Sequence, residues 1–138
     1  MDTIPERLAL AVNRLLNRYL VRGADGQNRP IPYNPVDYQS LRFLAANPGA
    51  RATDLAGHLG VAPTTMQSAL DRLRARGLIT KRASETDRRA RAYALSEQGA
   101  RVHAAIEAQD RANMAEIVSS LSPSERATLA DLLERLSA

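Results

Sequence analysis

Between Ala52 and Gly77 the chain carries two apolar-periodic segments with only Gly60-Val61-Ala62 between them. That spacing leaves few folds open. Two helices joined by about three or four residues, with Gly at the junction, form a helix-turn-helix. Leu55, Ala56, Leu59, Val61, Met66, Ala69, Leu70 and Leu73 fall where two such helices must touch. Ala56 is small and lets the second helix approach. Gly60 can take the left-handed backbone that a sharp turn requires, and Val61 fills the corner. The second helix is expected over Pro63 to Arg76, with Gly77 as its stop. Its outward positions are Thr64, Thr65, Gln67, Ser68, Asp71 and Arg72. Short polar side chains of this kind bond base edges and phosphates. No long acidic side chain stands among the early ones.

The flanks read as follows. A first helix is expected from Pro5 to about Arg22, with Leu8, Val12, Leu15, Leu16 and Tyr19 at helical spacing, then loop chemistry from Gly23 to Pro30. Asn34-Pro35-Val36-Asp37 opens a second helix with a cap, a first-turn proline and an acid suited to the positive helix end. Asn47-Pro48-Gly49 ends it. A short helix over Ala52 to Leu59 leads into the turn. After Gly77, Leu78 to Ala83 and Ala90 to Leu95 read as two strands around the polar turn Ser84 to Arg89. A fifth helix is expected from Glu97 to about Leu121. The capping box Ser122-Pro123-Ser124-Glu125 then starts a sixth, bearing Leu129, Leu132, Leu133 and Leu136. The class is mainly α with a small β part (α+β): a winged helix-turn-helix between N- and C-terminal helices.

Charge is unevenly placed. From Leu70 to Ala92 there are eight basic residues, Arg72, Arg74, Arg76, Lys81, Arg82, Arg88, Arg89 and Arg91, against Asp71, Glu85 and Asp87. That excess of five exceeds the chain's net charge of +4, so the remainder sums to −1. A basic two-stranded arm beside a polar helix suits a polyanion such as double-stranded DNA, and Arg suits a narrow minor groove. A solvated basic surface is the alternative on charge alone.

Other classes find little support. Aromatic residues are only 4%, so the core must be aliphatic, which suits helices. The absence of Cys excludes disulfides and thiolate metal sites. The polar start and the lack of an apolar run near about 20 residues point to no membrane span and a cytoplasmic protein. His58 and His103 read as ordinary helix side chains, and Glu107 and Asp110 as exposed helix charges. Nothing resembles a nucleophile elbow or a phosphate loop. No enzyme, metal or cofactor is expected.

Three runs carry a resemblance. They are Leu55-Ala56-Gly57-His58-Leu59-Gly60-Val61, then Leu70-Asp71-Arg72-Leu73-Arg74-Ala75-Arg76-Gly77-Leu78-Ile79, then Asp87-Arg88-Arg89-Ala90-Arg91-Ala92-Tyr93-Ala94-Leu95-Ser96-Glu97-Gln98-Gly99. Together they resemble the multiple-antibiotic-resistance regulator (MarR) family, most specifically in the Asp-x-Arg of the wing and the Leu-Ser-x-x-Gly entry to helix five. The resemblance implies a repressor of transcription that acts as a homodimer on a pseudo-palindrome. Residues 1–33 and 97–138 would be dimerisation helices and 34–96 the DNA-binding lobe. The recognition helix would offer Pro63, Thr64, Thr65, Gln67, Ser68 and Arg72, and the wing Lys81, Arg82, Arg88, Arg89 and Arg91. It further implies that Asp87 shapes the wing turn and that Asp71 pairs with Arg89.

Two departures stand out: Ala62 replaces the Ser or Thr often found before the recognition helix, and the helix-one Cys of the family's peroxide sensors is missing. The family's small aromatic effectors make Tyr19, Tyr38 and Arg42, with Tyr33 nearby, candidates for a pocket, Arg42 meeting a carboxylate. Ordinary packing and surface charge is the preferred reading of those residues. A winged-helix module that binds a protein partner and no DNA is the alternative function.

Overall fold

The computed structural model describes residues 3–18, 30–32, 34–84 and 86–138. Its elements are α1 (Ile4–Leu16), α2 (Pro35–Ala46), α3 (Ala52–Leu59), α4 (Pro63–Ala75), β1 (Ile79–Ala83), β2 (Arg91–Leu95), α5 (Glu97–Ile117) and α6 (Pro123–Ser137). They form two compact units, Met1–Ile106 and Glu107–Ala138. The expected reach of the first helix to Arg22, with Tyr19, lies partly outside the described residues, as do Tyr33 and Glu85. No helix among the described residues is long and apolar enough to cross a membrane.

In the first unit, the core is the helix-turn-helix. Leu41 and Leu44 of α2, Leu55 of α3, and Met66, Ala69, Leu70 and Leu73 of α4 lose almost all contact with water. Leu78, Ile79 and Tyr93 extend the cluster into the hairpin. Each buried leucine contributes roughly 1.5–3 kcal/mol, which is ample to hold the short α3 against α4. Gly60 ends α3 at φ +66°, the left-handed conformation the turn requires. Asn34 caps α2, its Oδ1 accepting from Val36 N at 3.0 Å.

The hairpin is antiparallel, with Lys81 opposite Tyr93 and Ala83 opposite Arg91. Side chains alternate between its faces. Ile79, Lys81, Arg91, Tyr93 and Leu95 therefore share one face, and Thr80, Arg82, Ala92 and Ala94 the other. Tyr93 also bridges Ala50, with Gly49 N–H donating to Tyr93 O and Tyr93 N–H to Ala50 O, both at 2.8 Å. The segment before α3 is thus bonded to the hairpin as a short third strand.

The Leu-Ser-x-x-Gly entry to α5 has a steric cause. Ser96 Oγ donates to Gly77 O at 2.6 Å and accepts from Gly99 N at 2.9 Å, while Ser96 N–H donates to Leu78 O. This brings the backbone of α5 onto Leu78. A Cβ on Gly99 would lie 1.8 Å from Leu78 O, so only glycine fits.

Helix α1 starts at a capping box between Thr3 and Glu6. It buries none of its residues: Ile4, Leu8, Val12, Leu15 and Leu16 remain 45–61% exposed. In the second unit α5 stops at Ile117, four residues before the expected end. The Arg126 guanidinium donates to the carbonyls of Val118 and Ser119, satisfying acceptors that another helical turn would have used. Helix α6 is capped by Ser122, whose hydroxyl accepts from Glu125 N.

Candidate nucleic-acid interface

Helix α4 divides along its length. Met66, Ala69, Leu70 and Leu73 face the core, while Thr64, Thr65, Ser68 and Asp71 are exposed and Gln67 is half-buried. The helix has no side-chain cap: Ala62 supplies none, and Pro63 sets the start through its fixed φ. The first-turn N–H groups are therefore left uncapped at the positive helix end, where anions are stabilised.

The wing turn is organised by Asp87. Its carboxylate accepts from Arg89 N at 3.0 Å and its carbonyl from Ala90 N at 3.1 Å. Arg91 Nη1 reaches back to the carbonyls of Arg88 and Ala90, and Ser84 bonds Thr86. Arg88, Arg89 and Arg91 remain exposed. Lys81 and Arg91 stand on the hairpin face that carries the buried Tyr93, whereas Arg82 stands on the other. There it lines an open groove with Thr80, Ala92 and Ala94.

One expectation needs correction. Asp71 does not pair with Arg89: its carboxylate accepts from Gln67 Nε2 at 3.0 Å, one turn away. Arg89 bonds Asp87 through its backbone N–H instead. Asp71 and Gln67 meet through i,i+4 spacing on one helix, whereas an exposed ion pair to another element contributes only about 0–1 kcal/mol.

Arg72 is exposed on the outward face, as expected, and its guanidinium is also held by α2. Its Nη2 lies 2.7 Å from Asp37 Oδ1 and its Nε 3.4 Å from Oδ2. Arg76 Nη1 approaches the same carboxylate at 3.7 Å. Asp37 is 1% exposed, so two guanidinium groups serve one buried acid. The hydrogen bond to Asp37 raises the Arg72 pKa above its ordinary value. The arginine therefore stays charged throughout, and the contact fixes α4 against α2.

A pocket of about 290 Å³ separates α4 from the hairpin. Gln67, Lys81 and Arg91 line it. So do Arg51 and Thr53, which no pattern singled out. Asp37 did leave a signal, since it sits at i−4 and i−7 from Leu41 and Leu44 on the buried stripe of α2. Arg51 left none, because the contact that places it is the bridge from Ala50 to Tyr93. Of the candidate effector residues, Tyr38 donates to Ile31 O at 3.0 Å and Arg42 is exposed on α2; Tyr19 lies outside the described residues.

Comparison with known proteins gives one consistent picture. Residues 32–90 match the MarR family. A protein of Thauera aromatica, provisionally assigned as a transcriptional regulatory protein for the hcr operon, is 33% identical over 106 residues, 74% of this chain. The chain spans 61% of that relative's length. Among solved structures, the transcriptional repressor CouR bound to a DNA duplex superposes with a TM-score of 0.79 at 25% identity, covering 99% of this chain and 93% of CouR. PcaV of Streptomyces coelicolor, a transcriptional regulator in complex with its natural ligand, gives 0.72 at 25%, covering 99% and 95%.

Proposed function

We propose that the chain is a member of the MarR family, whose model matches residues 32–90, and that it is a transcription regulator, a repressor, that binds pseudo-palindromic double-stranded DNA as a homodimer. One observation carries the reading: the exposed polar face of α4 and the exposed arginines of the hairpin turn belong to the same packed unit. Pro63, Thr64, Thr65, Gln67 and Ser68 enter the major groove. Arg88 and Arg89 at the wing tip reach the adjacent minor groove, and Lys81, Arg82 and Arg91 serve phosphates. Asp87 shapes the turn that presents them. Arg72 acts by holding α4 through Asp37.

Residues 1–33 and 97–138 provide the contact between subunits. The continuous apolar stripe of α1 supports this, as do the exposed Leu132, Leu133 and Leu136 of α6. Such faces need a cover that a single subunit's α1 does not receive. Two subunits would place their recognition helices roughly 34–36 Å apart, one turn of duplex. Release of the DNA by a small-molecule effector is part of the reading, and a relative solved with its natural ligand, PcaV, supports that an effector binds. The protein acts in the cytoplasm.

The test is titration of the protein against duplex DNA from the region upstream of its gene. Binding that falls steeply with salt is expected. No binding to any duplex at low salt would overturn the reading in favour of a protein-binding winged helix. Light scattering at micromolar concentration should give the mass of a dimer, and a monomer would remove the pseudo-palindrome.

A further inference from the structure

Where one element enters the major groove and its neighbour the minor groove, the phosphates dividing those grooves must pass between them. In this chain the space between α4 and the hairpin is the pocket lined by Arg51, Thr53, Gln67, Lys81 and Arg91. Its three cations come from three places: the residue before α3, β1 and β2. Backbone pairing holds them there. Lys81 stands opposite Tyr93, Arg91 two residues before it, and Arg51 directly after Ala50, the bridge partner of Tyr93. No carboxylate is among the described residues lining the pocket. Asp54 is already occupied by the Arg51 backbone N–H, at 2.9 Å. Like charges gathered around one small cavity raise each other's energy, and an anion relieves that repulsion.

We propose that this pocket seats one backbone phosphate of bound duplex DNA, with Arg51, the residue before α3, and Thr53 in the first turn of α3 as donors. The proposal rests on the DNA-binding reading above and adds a third element to the two that touch DNA. A phosphate contact fixes register and carries no base information. Arg51 is therefore a sequence-independent anchor, unlike Gln67 and Ser68.

The experiment is fluorescence anisotropy of the full chain with two unrelated mixed-sequence duplexes over a series of salt concentrations. Wild type should bind both with a steep dependence of log K on log salt. Arg51→Ala should flatten that slope by about 0.9, the value for one lost phosphate contact. It should weaken both duplexes equally, by about tenfold, ~1.4 kcal/mol. Arg51→Lys, which keeps the charge, should retain the slope. Thr53→Val should weaken binding two- to threefold, roughly 0.4–0.6 kcal/mol by the same conversion, without changing the slope. Should Arg51→Ala lower the melting temperature, Arg51→Gln carries the same test. A wild-type slope in Arg51→Ala while wild type binds DNA overturns the proposal and leaves the regulator reading standing. Failure of wild type to bind either duplex overturns both. Inorganic phosphate at constant ionic strength distinguishes a free oxyanion. If it raises the melting temperature of wild type but not of Arg51→Ala, and the salt slopes are equal, the pocket belongs to a free anion and the proposal fails.

Discussion

Removing Arg72 should cost more than removing the acid it serves, and removing both should be milder than removing Arg72 alone. The reason is exposure. Asp37 is buried, whereas the side chains of Arg72 and Arg76 are 42% and 37% exposed. Arg72→Ala leaves a carboxylate that lies in the core with the 3.7 Å contact to Arg76 as its remaining ion pair among the described residues. Stranding a buried charge costs about 3–5 kcal/mol, and the remaining arginine puts the expected loss near about 3. Asp37→Ala leaves two guanidinium groups that rehydrate. Charge-assisted bonds contribute about 1.5–3 kcal/mol, and screening at half-exposed arginines reduces the loss to about 1–2. The double variant strands nothing, so adding Asp37→Ala to Arg72→Ala should restore about 1 kcal/mol or more. Denaturant unfolding at fixed protein concentration reads this as a shift in midpoint at constant slope. A double variant no more stable than Arg72→Ala would refute the buried-acid argument.

The other predictions concern α5, the DNA face and α6. Gly99→Ala should destabilise the fold by about 1–3 kcal/mol or more, because the new methyl collides with the Leu78 carbonyl; an unchanged melting temperature would show that α5 can slide away. Arg89→Ala should weaken duplex binding about tenfold, ~1.4 kcal/mol, whereas Gln67→Ala should cost about 1–3 kcal/mol on the preferred site and relax preference at one base. Gel shifts against matched and scrambled duplexes separate the two, and no effect of either excludes these elements from the interface. The Ser122 backbone N–H at 2.8 Å, assisted by its hydroxyl, holds the Glu125 carboxyl below the ordinary glutamate range. A depressed folded pKa contributes stability above the unfolded value of about 4.3 that is lost as pH falls through the folded one. Helicity followed by circular dichroism should therefore decline in acid, and Glu125→Gln should flatten that decline.

Read alone, the sequence determined the local structure and the plan of the lobe. Proline, asparagine and serine at helix starts, glycine at stops and apolar residues at helical spacing act within a few residues of chain, so α2, α3, α4, the hairpin and α6 were all legible. So was the polar face of α4 beside a cluster of arginines. What remained hidden were the partners of those side chains. Periodicity says that Asp37 faces inward, but not that Arg72, thirty-five residues later, meets it there. The family resemblance pairs Asp71 with Arg89, but in the fold Gln67 reaches Asp71 instead. Arg51 lies outside every motif, and only the bridge from Ala50 to Tyr93 brings it beside the hairpin. Spacing along the chain governs which face a residue occupies. Which group it meets depends on how faces from distant segments pack, and that is decided only when the core closes.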